Sequence, residues 1–184
     1  MPALAHPDAV IAIRTLIALV FVSAAVGKMR NWAIFRGVVA NYRLLPQVLV
    51  GPVTYVLPPA EAAIGATLPT GLCAPWAEAA AALLLGVFAV AMGINLLRGR
   101  RHIDCGCFQG ILKQPLSWTL VSRNALLALL LVASGAAPAG RPDAWTAVNG
   151  LLAGGALFVV LQSLNTLWAV MAAVRPGIQM GDTS

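Results

Sequence analysis

Charge is what this sequence has least of. Asp, Glu, Lys and Arg make up 10% of its 184 residues, while apolar residues make up 60%, against about 25% charged in an ordinary globular domain. So small a supply cannot cover a water-facing surface, which excludes a soluble fold and leaves lipid as the solvent. Cysteine is scarce as well, at three residues. A closed structural zinc site normally takes four ligands, and no second cluster completes one. Repeats and low-complexity tracts are absent, and the gaps between apolar runs are too short for a folded extramembrane domain. The stretch Met1 to Asp8 has no Lys or Arg, so the first apolar run lacks the charged lead of a secretory signal and reads as a retained helix.

What is present is apolar runs of membrane-spanning length. About 20 such residues match the roughly 30 Å hydrocarbon core, and five runs qualify: 9–27, 48–68, 76–97, 117–135 and 145–174. The expected fold is all-α, a polytopic membrane helical bundle forming one integral membrane domain over 1–184. Between the first two runs, segment 28–46 alternates Trp32, Phe35, Val38, Val39 and Tyr42 with basic residues at three- and four-residue spacing. That spacing predicts an interfacial amphipathic helix with its cations at lipid headgroups. Pro52, Pro58 and Pro59 each remove a backbone donor, so the second span is expected to kink or break near Leu57. Gly150 and Gly154 stand at the spacing that lets two helices approach closely. Gln162, Ser163, Asn165 and Thr166 are expected to face protein.

The net charge of +6 is no nucleic-acid signal, because the cations sit in blocks beside helix ends. Lys28, Arg30, Arg36 and Arg43 lie between spans one and two, Arg98, Arg100, Arg101 and Lys113 between three and four, and Arg175 after span five, whereas the other face carries Arg141. The positive-inside rule then puts the basic face in the cytoplasm and the N-terminus outside. Two ionisable residues lie deep in spans, where a charge requires a partner. Arg14 is about five residues deep and Glu61 about eight, a rise difference of roughly 5 Å. The two are expected to form a structural ion pair.

The chemistry-bearing segment is the third connection, Arg98 to Gly110. Cys105 and Cys107 flank a single glycine, and a disulfide across so small a ring is strained and labile and staples almost nothing. Arg98, Arg100, Arg101 and Lys113 surround the pair, with Asp104 the one nearby acid, so the thiolate is favoured. Arg123 lies about six residues into span four from the same face. It would stabilise a thiolate or a cofactor anion with Asn124 beside it as a donor, or else snorkel to the headgroups. Alternatively His102, Cys105 and Cys107 could bind a soft ion such as Cu(I). Cys73 lies near the opposite face and should not meet the pair.

With Cys105-Gly-Cys107-Phe108, Gly27-Lys28, Tyr42-Arg-Leu-Leu-Pro46, Glu61, Arg98-Gly99 and Arg123-Asn124, the chain resembles the MauE branch of the DoxX-like membrane proteins, over most of its length. One departure is Gln109, placed between Phe108 and Gly110 where the family reads Cys-Gly-Cys-Phe-Gly. The resemblance implies disulfide formation or thiol transfer in a bacterial inner (plasma) membrane, with a thioredoxin-like protein or a disulfide-containing protein as partner. In that role one thiolate attacks a disulfide and the other resolves the mixed disulfide. A second electron carrier is then needed, and a membrane quinone near Arg123 would serve by analogy with other helical-bundle disulfide oxidants. A soft-metal binding or transport protein and an assembly scaffold for a membrane redox complex are the alternatives. The family role places the chemistry on the extracytoplasmic side of the membrane, opposite to the face that the charge distribution gives Cys105 and Cys107.

Overall fold

The computed structural model describes residues 6–71, 73–100, 103, 115–135 and 143–179, with side chains as far as 171. These residues form six helices in the order α1 (Pro7–Arg30), α2 (Trp32–Tyr42), α3 (Gln47–Thr67), α4 (Trp76–Leu97), α5 (Trp118–Gly135) and α6 (Ala144–Gln179). All but α2 are long and apolar enough to cross a membrane, so the chain is an all-α polytopic membrane protein. α1 occupies the middle of the bundle, packed by α3, α5 and α6, while α4 pairs with α5 and α2 lies against α3. Its burial follows from its sequence. Ile13, Ile17, Val20 and Phe21 are buried on a face that meets Leu68, Leu85, Leu127 and Leu131 of its neighbours.

Glycine sets the close approaches. A side chain at Gly150 would run into Ile11, and one at Gly154 into Thr15 and the Ala12 carbonyl, so α6 rests directly on the α1 backbone. Gly65 of α3 meets α1 at Ala18, Phe21 and Val22 in the same way. This contact fixes the register between α1 and α3.

Three expectations need correction here. First, α3 is not broken near Leu57; it is one continuous α-helix through Pro52, Pro58 and Pro59. Pro58 and Thr54 are themselves buried, and packing of that face on the neighbouring helices holds the segment helical despite the missing donors. Second, the segment expected to be an interfacial helix over 28–46 is shorter. α1 continues to Arg30, the chain turns at Asn31, and α2 begins at Trp32. Trp32 then stacks on Tyr55 of α3, with ring centroids 5.2 Å apart. Third, Ser163 and Thr166 do not face protein. They are exposed and return their hydroxyls to the Val159 and Gln162 carbonyls of their own helix.

Candidate functional site

Cys105, Cys107, His102 and Asp104 lie outside the described residues, but the attachment of their segment to the bundle is described. The Leu116 N–H donates to the Ile103 carbonyl at 3.1 Å, so the described residues on either side of the cysteine segment meet. Ile103 and Leu116 pack with Tyr42 of α2, Met92 and Leu96 of α4, and Leu120 of α5. The segment is therefore seated where the ends of α2, α4 and α5 come together.

Below this seat the helices bring four polar side chains around one small cavity. Lys28 from α1, Glu61 from α3, and Arg123 and Asn124 from α5 line it, with Phe21 and Phe88 among its apolar walls. Its volume of about 20 Å³ is room for roughly one water molecule. The Lys28 ammonium donates to the Glu61 carboxylate, and both side chains are almost fully buried. Lys28 also lies 5.3 Å from the Phe35 ring centre and 4.9 Å from that of Phe88, close enough for the ring faces to attract the cation. Arg123 donates to the Asn165 side chain of α6 at 3.1 Å, and Asn165 in turn donates to Gln162 at 3.3 Å. The Asn124 amide is 2% exposed, and its Nδ2 finds no acceptor among the described residues. A buried donor left open faces a full desolvation cost, so it marks the place in this cavity that suits an acceptor.

The expected pairing of Arg14 with Glu61 is wrong. Arg14 instead pairs with Glu78 in the first turn of α4, with Nε 2.6 Å and Nη2 2.5 Å from Oε1. The register explains the exchange. With Gly65 against Ala18 to Val22, Arg14 is level with the turn after α3, where Gly71 approaches its guanidinium. Glu61 lies about a turn beyond Gly65 in the other direction, and the Lys28 side chain points back toward it along α1. Gly135 of α5 completes the Arg14 site, because a side chain there would collide with the Glu78 carboxylate.

Sequence reasoning missed Lys28 and Glu78, assigning Lys28 to the connection, yet helical periodicity marks both. Lys28 continues the stripe Ile17, Phe21, Ala24, and Glu78 begins the stripe Ala81, Leu85, Ala89, Met92, Leu96; all of these residues are buried. Arg123 and Asn124, expected beneath the cysteine segment, do face the bundle, and the structure adds Glu61 to their surroundings. Cys73 is a free, exposed thiol in the turn between α3 and α4. Outside the spans, Asp143 caps α6. Its carboxylate accepts from the Thr146 hydroxyl and from the Thr146 N–H at 3.1 Å, and these bonds hold its pKa below the usual aspartate value.

Comparison with known proteins agrees with this architecture. The family model described as methylamine utilisation protein MauE matches residues 7–137. The methylamine utilization protein MauE of Paracoccus denitrificans is 47% identical over 173 residues, which cover 92% of this chain and 92% of the relative. That of Paracoccus versutus is 44% identical over 163 residues, covering 88% of each, and that of Methylorubrum extorquens is 43% identical over 129 residues, covering 70% and 69%. No solved structure matches the chain.

Proposed function

Because this chain belongs to the methylamine utilisation protein MauE family, we propose that it is a membrane accessory protein that exchanges disulfides with a thioredoxin-like partner through Cys105 and Cys107. It does so in the bacterial inner membrane, in support of protein disulfide formation during methylamine utilisation. A partner thiolate attacks the Cys105–Cys107 disulfide, giving a mixed disulfide and one free thiolate. The partner's second thiolate then displaces the remaining cysteine, so the partner leaves oxidised and the pair is left as a dithiol.

The observation that carries this reading is the seat of the cysteine segment. Its two ends are tied by the Leu116–Ile103 hydrogen bond at the head of a bundle that also holds Lys28, Arg123 and Asn124 about one cavity. Cations near a thiol favour the thiolate, and the basic residues Arg98 and Arg100 flank the segment's start. Replacing either cysteine with Ser should abolish maturation of a disulfide-dependent partner while leaving the bundle folded, since so short a loop contributes little stability. Offered the oxidised partner, one of the two single variants should trap a mixed disulfide visible on a non-reducing gel, because its lone thiolate attacks the partner's disulfide and no second cysteine resolves the product. Full maturation with the double Ser variant would overturn the exchange reading in favour of a scaffold. Stoichiometric copper on the purified chain, lost with His102, would favour the soft-metal alternative.

A further inference from the structure

Where α2 and α4 end, the turns that follow them each hold a left-handed backbone position, Arg43 at φ 48° and Gly99 at φ 75°. Between these turns lies an open depression of about 410 Å³, lined by Asn41, Arg43, Gly99, Arg100 and Ile103. Among the described residues neither guanidinium has a carboxylate partner. The two helix C-termini bring about half a negative charge each. Two guanidinium groups exceed that, so the depression is electropositive. Glycine is the usual residue at a left-handed position after a helix, and Arg43 stands there at a conformational cost that glycine would not carry.

Deeper in the bundle, a second cavity of about 240 Å³ opens between α2, α3 and α4. It meets α4 at Val87, Phe88, Ala91 and Met92, which lie roughly 10–18 Å along the helix from Gly99. Its other walls are Phe35 and Val38 of α2 and Leu57 of α3. Lys28 adds no charge to this lining, since its ammonium is buried against Glu61 between the Phe35 and Phe88 rings. Leu45 and Val87 at its edge are 37% and 52% exposed, so its mouth opens to lipid. One stretch of chain joins the two spaces: Asn41 and Arg43 line the depression, Tyr42, Leu44 and Leu45 the cavity. Ile103 of the depression packs in the same cluster as Tyr42 and Met92 of the cavity wall.

We infer that the two spaces together hold one anionic glycerophospholipid, with its phosphate on Arg43 and Arg100 and one acyl chain in the apolar cavity. Charge and depth select this occupant. Guanidinium groups match phosphate oxygens in pairs, and basic pockets between membrane helices take anionic headgroups. The apolar cavity lies below them, at the depth of the hydrocarbon. It is smaller than the usual space for a drug-sized ligand, and so takes part of a single chain. A zwitterionic lipid offers the same phosphate but brings a cation into a depression that is already positive. The inference stands apart from disulfide exchange. The lipid would join the end of α2 to that of α4, which pack chiefly on α3 and α5.

The test is native mass spectrometry of the full chain, stripped of lipid in detergent and titrated with dioleoylphosphatidylglycerol, dioleoylphosphatidylcholine or inorganic phosphate. One phosphatidylglycerol per chain is expected, held about fivefold more tightly than phosphatidylcholine and not displaced by excess phosphate. Arg43→Gly and Arg100→Gln should each weaken phosphatidylglycerol about fivefold and erase the preference. Because glycine suits the left-handed backbone at 43, Arg43→Gly should melt no lower than the original chain, which separates lost binding from lost folding. Val87→Trp, at the half-exposed mouth, should weaken both lipids alike. Arg36→Gln removes an exposed cation of α2 that lines neither space, and should change neither lipid. Absence of bound lipid, or equal affinity for the two lipids, would overturn the site. Equal losses from Arg36→Gln and Arg43→Gly would reduce it to diffuse attraction between charges and overturn it too. Displacement by phosphate at the concentration at which lipid binds would make the occupant a free anion rather than a lipid. Unchanged binding in folded Val87→Trp would remove the acyl chain from the cavity and with it the inference.

Discussion

Lys28 and Glu61 are each other's counter-charge in a part of the bundle that lipid and apolar side chains surround. Removing Glu61 leaves the Lys28 ammonium buried without its carboxylate, at a cost of about 3–5 kcal/mol in comparable buried pairs. Lys28→Met and Glu61→Gln should therefore each lower the midpoint of thermal unfolding in detergent. The double variant should recover part of the loss. The same logic assigns partners. In double-mutant cycles Arg14 should couple with Glu78 and Lys28 with Glu61, whereas Arg14 and Glu61 should be additive within about 0.5 kcal/mol. Strong coupling between Arg14 and Glu61 would refute the register described above. That ionisable residues sit in the bundle was partly legible in the sequence, because charge inside an apolar run is conspicuous. Their pairing was not, since depth along one helix says nothing of how far its neighbour is shifted.

Each long helix states its own length, because an apolar run must match the hydrocarbon thickness, and α4 begins and ends where its run does. Breaks are harder to read. Three prolines in α3 argue for interruption locally, and tertiary packing overrides them. The glycines of α6 offer the cleanest test of how elements meet. Gly154→Val should separate α6 from α1 and sharply reduce folded yield, because the new side chain would strike Thr15 and the Ala12 carbonyl. Gly155→Ala meets nothing within 4 Å and should hold or gain stability, by up to about 1 kcal/mol from helix propensity. At the start of α6, Asp143 should cap more strongly when ionised. Its folded-state pKa is depressed, so its capping contribution is present above the ordinary aspartate value and is lost as pH falls through the lower, folded one. Amide exchange in the first turn of α6 should accelerate in that acid range, and Asp143→Asn, which still caps, should remove the dependence.

For the molecule as a whole, the bundle class was legible from composition alone, and the resemblance on a few motifs named the family that comparison then showed. Sidedness is a separate question. Lys28, tied to Glu61 inside the bundle, no longer counts toward the charge on either face, yet Arg30, Arg36, Arg43, Arg98 and Arg100 still gather at one end. A reporter fused after Ser184 should accordingly be cytoplasmic and one inserted at Gly71 extracytoplasmic. The reverse pattern would put Cys105 and Cys107 outside and join their chemistry to that of an extracytoplasmic partner. Alkylation of the two thiols in intact cells with permeant and impermeant reagents reads the same question at the site itself.

The hydrogen bond from Leu116 to Ile103 has a consequence for how this architecture diversifies. A segment whose two ends already meet is a detachable module, because changing its length alters only the entropy of closing a loop, and that rises slowly, by about 0.6 kcal/mol per doubling. Residues 104–114 could then be lengthened, shortened or transplanted from a relative without shifting α4 against α5. Partner choice can drift in the module while the membrane-embedded frame stays constant.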